Sequence, residues 1–312
     1  MPDTHELLRS GMLRIALLPP ENPRHLHFKR YTIPLLEHDY PARTPSLWNH
    51  AYRTFGLDIG NVAMTADPNS LPIILNTLRS DPRYLGGGAG VGIKQRALAL
   101  VDQLDPCAAA IGALNLIRKT EAGLLHGYNT DGEGYADSLA KLHEISGASI
   151  LILGAGGTSA AIAFALAARG ARITIVNRTT YATIVGEDSI PALAPHADVI
   201  INTTTKGSAG PLEQYSALAP AILPATNENV ARNAFEAERV LKTIRSHTIL
   251  SDVVIAPQAT PFLRSARQAG FTTLDGIPMV VNQAAAAFWI LHRAELKGQV
   301  TSADVASIMQ AL

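Results

Sequence analysis

Cysteine is almost absent: Cys107 is the single one in 312 residues. No internal disulfide can staple such a chain, and a reducing compartment, the cytoplasm, is the expected location. An excess of charge is lacking too, because 26 basic residues balance 26 acidic ones. With no net field to attract phosphates, neither nucleic acid nor a membrane surface is expected as a partner. The first residues, MPDTHELLRSGM, include acidic side chains and no apolar core, which excludes a secretory signal. Repeats and low-complexity tracts are missing. One uncharged run, Ser149 to Ala168, is long enough to cross a bilayer. Gly154, Gly156 and Gly157 would break that helix early, and helical periodicity begins only after them. What remains is an apolar chain, 47% hydrophobic and 17% charged, suited to α/β layers and long enough for two cores.

The most informative stretch is ILILGAGGTSAAIAFALAARGARITIVNR, residues 150–178. Ile150–Leu153 reads as a strand that stops at Gly154-Ala155-Gly156-Gly157. Glycines there let the backbone turn sharply and approach a pyrophosphate, whose charge sits on the N–H groups opening the next helix. Small residues from Ser159 to Ala163 let that helix lie close to a sheet, and Arg172–Val176 is the second strand. An NAD-binding unit places a carboxylate at the end of that strand for the ribose 2′-hydroxyl. Asn177-Arg178-Thr179 stands there instead. Asn177 removes the charge that repels a 2′-phosphate, and Arg178 adds one that attracts it. The reading is NADP; NAD stays open as a cofactor, because Thr180-Tyr181-Ala182-Thr183 adds no second basic residue. Ser159 takes the place of the third glycine of a full G-x-G-x-x-G.

Elsewhere the chain alternates. Leu13–Leu18 reads as a strand broken by PPENPRHLH, within an appendage covering residues 1–30. Tyr31–Leu36 and Gly60–Thr65 are expected strands; Pro45–Phe55 and Leu71–Arg79 are expected helices. Tyr84 to Lys94, containing GGGAGVGIK, reads as flexible. Lys94–Asp102 is expected to be a helix, with Ala97, Leu98 and Val101 at helical spacing. Ile111–Ile117 and Gly123–Gly127 look like a strand pair, followed by YNTDG. Strands at Asp198–Asn202, Ile249–Ile255 and Phe271–Leu274 alternate with helices at Glu236–Arg245, Thr260–Ala269 and Val280–His292. The pattern argues for two doubly wound α/β domains with a cleft between them.

Seven segments together resemble the shikimate/quinate dehydrogenase family from about Tyr31 onward: AIGALNLI (110–117), HGYNTDG (126–132), GAGGTSAA (154–161), NRT (177–179), ADVIINTT (197–204), DVVIAPQATPFL (252–263) and DGIPMVVNQAAAAF (275–288). The resemblance implies an N-terminal α/β substrate-binding domain over residues 1–133, with 277–312 packing back on it, and a Rossmann-type NADP-binding domain over 134–276. It implies that Lys94 and Asp131 form the catalytic pair and that Asn115 and Gln283 bind substrate hydroxyls. On the cofactor side it implies Gly154, Ala155, Gly156, Gly157, Asn177, Arg178, Thr179, Thr203 and Gly276. No metal is implied. A small-molecule substrate and a monomer or homodimer are expected.

The pair suits the chemistry. Oxidising a secondary alcohol requires a group to take the hydroxyl proton as hydride leaves, and a lysine oriented by a carboxylate can move that proton in either direction. Other positions depart from the family. Ala42-Arg43-Thr44-Pro45 occupies the place of its carboxylate-binding Ser-x-Ser, leaving Thr44 as one hydroxyl and Arg43 as a substitute contact. Ile255 and Ala256 replace a tyrosine and an asparagine. Gly88, Gly90 and Gly92-Ile93 replace an asparagine, a threonine and a Pro-His pair. The expectation is a larger, more apolar pocket and an altered specificity, since a site that loses its polar anchors no longer selects for the groups they held. Two alternatives stay open: a genuine shikimate or quinate dehydrogenase with relocated anchors, and a non-catalytic ligand sensor. Residues 207–246 look longer than the family's usual connection.

Overall fold

The strands expected in the second half come together in one parallel sheet. In the computed structural model the chain is described for residues 3–18, 21–40, 42–90, 92–180, 184–256, 258–296, 298 and 300–311. It divides into a first unit, Met1–Gly134 with Val280–Leu312, and a second, Tyr135–Met279.

The first unit carries two sheets. Its strands are β1 (Leu13–Ile15), β2 (Arg30–Thr32), β3 (Leu35–Leu36), β4 (Ile59–Asn61), β5 (Met64–Ala66), β6 (Tyr84–Gly88), β7 (Gln103–Leu104), β8 (Leu116–Lys119) and β9 (Leu125–Tyr128). Six of them form a sheet in the order β4-β2-β6-β8-β9-β7, and β1-β5-β3 form a smaller one. The runs expected as single strands, 31–36 and 60–65, are each split between the two sheets. Pro34 has no N–H for a ladder, so the chain leaves the large sheet there, and its carbonyl accepts from Met64 N at 2.9 Å instead.

This sheet is mixed, which corrects the expectation of a doubly wound first domain. β8 runs antiparallel to both β6 and β9, because a tight turn through Gly123 (φ 81°) joins β8 directly to β9. Of the glycine-rich run expected to be flexible, Tyr84–Gly88 instead forms the central strand β6. The helix expected over Lys94–Asp102 shrinks to a 3₁₀ segment, Arg96–Leu100. Asp102 N donates to Leu125 O at 2.8 Å and draws the chain out along β9.

Among the helices are α1 (Thr4–Arg9), α2 (Thr44–Thr54), α3 (Leu71–Ser80), α4 (Pro106–Ile111) and α5 (Asp131–Leu139), whose first turn ends the first unit's main segment. A buried polar knot ties α1 to this unit. Thr4 Oγ1 and Arg83 Nη2 each donate to Asp81 Oδ2 at 2.9 Å, and Tyr31 Oη donates to the same carboxylate. Burial opposes ionisation of Asp81, but these donors outweigh it and hold the carboxyl well below its usual range. A carboxyl depressed in the folded state contributes stability above its unfolded pKa and loses it as the pH falls through the folded value. Asp81→Asn is therefore expected to cost roughly 2–3 kcal/mol near neutral pH. The melting-temperature gap from wild type should close in acid, below about pH 4. A gap independent of pH would contradict this account.

The second unit contains β10 (Ser149–Leu153), β11 (Arg172–Asn177), β12 (Ile184–Gly186), β13 (Val199–Asn202), β14 (Ile249–Asp252) and β15 (Thr273–Leu274). They are parallel throughout, in the order β12-β11-β10-β13-β14-β15. Counted within the unit, this is the 3-2-1-4-5-6 order of a doubly wound dinucleotide fold. Strand order reverses between β10 and β13, where the glycine turn emerges. Helices α6 (Gly157–Ala168), α7 (Ile190–Leu193), α8 (Asn227–Leu241) and α9 (Pro261–Gln268) belong to this unit. Helix α8 starts nine residues earlier than expected, capped by Thr226, whose side chain accepts from Asn229 N. It fills much of the long 207–246 connection. Helix α10 (Gly276–His292) then leads the chain back into the first unit, where α11 (Ser302–Gln310) follows.

In the first unit, α2, α10 and α11 share a core around Trp48, Phe288 and Met309. Trp48 Nε1 donates to Ala284 O at 3.0 Å. No helix among the described residues is long and apolar enough to cross a membrane.

Candidate active site

In the first unit, residues from four separate stretches converge on one cavity of about 150 Å³. Lys94 follows β6, Asn115 precedes β8, Asp131 opens α5, and Gln283 lies on α10. Lys94 Nζ donates to Asp131 Oδ2 at 2.5 Å. Asn115 Nδ2 donates to the other carboxylate oxygen, Oδ1, at 2.8 Å, and to Gln283 Oε1 at 3.3 Å. Asp131 is buried; Lys94 keeps 27% of its side chain exposed. The carboxylate is thus fixed on one side by an amide and presents its other oxygen to a lysine open to the cavity.

Backbone groups hold the cluster. Asp131 N donates to Asn129 Oδ1, and Asn129 Nδ2 in turn to Ala113 O, both at 3.0 Å. Thr130 N donates to Asn115 Oδ1 at 2.9 Å, and Thr130 Oγ1 to Gln283 O at 3.0 Å. Gly134 lets α5 and α10 meet, since a Cβ there would sit 2.6 Å from Gln283 N.

Thr44 lines the cavity, along with Pro34, Leu36, Tyr40, Ala42 and Trp48. Arg43 does not: it is exposed at the start of α2. The expected enlargement at the glycine positions does not occur at two of them. A Cβ on Gly90 would lie 2.5 Å from Tyr40 Oη and 2.8 Å from Leu36 Cδ2, and one on Gly92 would run into the Glu37 carboxylate. Neighbouring side chains have taken that space. Gly88 alone of the three has only ordinary contacts around such a Cβ.

The second unit holds a groove of about 260 Å³ at the switch point, lined by Gly154, Ala155, Gly156, Asn177, Arg178 and Thr203 together with residues 204–206. Gly154 adopts φ 110°, and a Cβ there would meet Thr203 Oγ1 at 2.7 Å. Gly156 has open space before it, at the N-terminus of α6. Ser159 is buried and donates to Gly154 O at 2.7 Å, so it locks the turn from inside. Asn177 Nδ2 donates to Thr179 O at 3.1 Å. Gly157 begins α6, whereas Gly276 is pressed against Val253 O outside the groove. Glu187 brings a negative charge to the lining, and Lys206 Nζ neutralises it at 2.8 Å. Open backbone donors, an exposed arginine and, among the described residues lining the groove, no unpaired carboxylate fit a dinucleotide with a 2′-phosphate. Residues 181–183, which follow the Asn177-Arg178-Thr179 strand end, lie outside the described residues.

Residues 40–117 match the family described as the shikimate dehydrogenase substrate binding domain. Over 288 residues, 86% of this chain and 94% of its relative, the sequence is 31% identical to the shikimate dehydrogenase (NADP(+)) of Methanosarcina acetivorans. The chain belongs to the shikimate dehydrogenase family. Shikimate 5-dehydrogenase of Listeria monocytogenes, solved with shikimate and NAD, shares the fold with a TM-score of 0.72 at 24% identity, over 91% of this chain and 97% of that one. The 5-ketofructose reductase of a Gluconobacter species has a TM-score of 0.67 at 25% identity, over 92% and 99%.

Several residues of this shikimate dehydrogenase homologue escape sequence reasoning. Thr130 lies inside YNTDG, so its neighbours could have pointed to it. The Lys206–Glu187 pair and the approach of Tyr40 to Gly90 join distant positions and leave no periodic signal.

Proposed function

We propose that this protein transfers hydride between NADP(H) and a hydroxyl or carbonyl carbon of a cyclic, hydroxylated substrate, with a specificity shifted from that of a carboxylated polyol. The reaction class and cofactor are those of the family: it is an NADP-dependent oxidoreductase acting on a CH–OH group. The first unit is the substrate side and the second the cofactor side. NADP, when bound, accepts or supplies the hydride. Lys94 Nζ takes or gives the proton at the reacting oxygen, and Asp131 holds and orients it. Asn115 keeps the carboxylate from turning away, and Gln283 steadies Asn115. The observation carrying this reading is the 2.5 Å Lys94–Asp131 pair facing a cavity that Thr44 and Tyr40 also line. An intact proton-transfer pair favours catalysis over ligand sensing.

The test follows NADPH oxidation, and NADP reduction, with shikimate, quinate, 3-dehydroshikimate and less polar cyclic ketones. Turnover of the ketones above that of the carboxylated compounds is expected; strong turnover of shikimate alone would reverse the specificity claim. Arg178→Ala is expected to raise the KM for NADP about 10-fold, through one lost charge-assisted contact, with little change for NAD. Equal changes for both would refute the 2′-phosphate assignment.

A further inference from the structure

The groove of the second unit carries a carboxylate beside the arginine read as its phosphate contact. Strands β11 and β12 run parallel, with Asn177 opposite Gly186. The residues that follow, Arg178 and Glu187, therefore leave the same edge of the sheet, and both line the groove. A dinucleotide fold that takes NAD uses an acidic side chain at this edge, where it meets the ribose hydroxyl and repels a 2′-phosphate. Glu187 stands one strand over from that place.

Lys206 cancels its charge. Lys206 Nζ donates to Glu187 Oε1 and to Ala219 O, both at 2.8 Å. The pair is largely enclosed: 7% of the lysine side chain and 16% of the glutamate side chain are exposed. The backbone of Lys206 is held as well, since its N donates to Thr204 Oγ1 and its O accepts from Asn202 Nδ2, both at 3.1 Å. Arg178, Glu187 and Lys206 are the charged residues among the described lining of the groove. With the pair compensated, the exposed Arg178 supplies the net positive charge. Without the lysine that charge would vanish. Glu187 would then compete for the Arg178 guanidinium and oppose a phosphate monoester carrying a charge of about −1.5 to −2.

We infer that Lys206 sets the preference for NADP over NAD by acting through Glu187: it holds and neutralises this carboxylate, so that Arg178 stays available to the 2′-phosphate. Lys206 is on this account a positioning residue, and contact with the phosphate belongs to Arg178. This rests on the proposed placing of the 2′-phosphate at Arg178.

Isothermal titration calorimetry with NADP and with NAD tests it on the full chain, with no substrate present. The proteins are wild type, Arg178→Ala, Lys206→Met, Glu187→Gln and the Lys206→Met/Glu187→Gln double variant. Lys206→Met is expected to weaken NADP about 10-fold or more, and NAD by less than about threefold, because the freed carboxylate opposes the phosphate alone. Glu187→Gln should bind NADP at least as tightly as wild type. The double variant should bring NADP affinity back to within about threefold of wild type, since the carboxylate is neutral once its partner is gone. Equal losses for both dinucleotides in Lys206→Met overturn the inference, because a lysine that merely held the loop would act on both alike. A double variant as weak toward NADP as Lys206→Met overturns it too, by putting the lysine on the phosphate itself. Weaker NADP binding in Glu187→Gln has the same force. Should Lys206→Met fail to melt cooperatively, the double variant decides, since it leaves no unpaired charge behind: a lost NADP preference there overturns the inference. Equal losses for NADP and NAD in Arg178→Ala overturn the placing of the 2′-phosphate and this inference with it. A loss confined to NADP in Arg178→Ala, with Lys206→Met unaffected, overturns the role of Lys206 alone.

Discussion

Lys94→Ala is expected to lower kcat by between about 10²- and 10⁴-fold, the usual contribution of a positioned acid or base. The dinucleotide groove is built from residues 154–223 of the second unit, so NADP affinity should stay at the wild-type value. Lys94 suits proton transfer because its ammonium is neither free nor fully enclosed. Asp131 Oδ2 holds it at 2.5 Å, and the exposed part of its side chain opens on the cavity. Asp131→Asn should fall in the same range for a related reason. Its amide could still satisfy Asn115 through the carbonyl oxygen, but it would turn an N–H₂ toward the ammonium, where a donor faces a donor. Single-turnover measurements with saturating cofactor distinguish this from a binding defect. Turnover within about threefold of wild type for Lys94→Ala would remove the lysine from the chemistry, since a positioned acid or base contributes far more than that.

Gly87→Ala should be among the most damaging small substitutions in the first unit, costing more than about 4 kcal/mol. An added methyl would strike the backbone carbonyl of Ile33 and lie 2.8 Å from its nitrogen. Backbone cannot rotate out of the way as a side chain can. Strand β6 is paired on both sides, with β2 and β8, so relief requires opening the middle of the sheet and displacing Lys94 with it. Thermal melts would show a large drop or no cooperative transition, whereas Lys94→Ala should melt near wild type. A Gly87→Ala protein melting within a few degrees of wild type would refute the close packing of β6.

The run GGGAGVGIK shows why glycine content alone misleads. Read locally, it promises mobility, because glycine loses the most entropy on ordering. In the fold, Gly87 and Gly90 are sites where other parts of the chain come closer than a side chain would allow. Nothing near residue 87 or 90 in the sequence names Ile33 or Tyr40 as the partner. Helix α8 is a different case. Its cap, Thr226, and its start at Asn227 are local signals, so that boundary was legible.

The sequence alone determined the second unit: a β-glycine-α-β run, an Asn177-Arg178 strand end and regular alternation are local patterns that admit one parallel fold. It also marked Lys94, Asp131, Asn115 and Gln283, through motifs whose order matched a family. Tertiary structure decided the rest. It made the first sheet mixed, because the Gly123 turn reverses the chain. It set Arg43 outside the cavity and brought Tyr40 into it. It also placed Lys206 against Glu187. These outcomes depend on contacts between residues far apart in the chain, where sterics and charge pairing act through space and leave no periodicity to read.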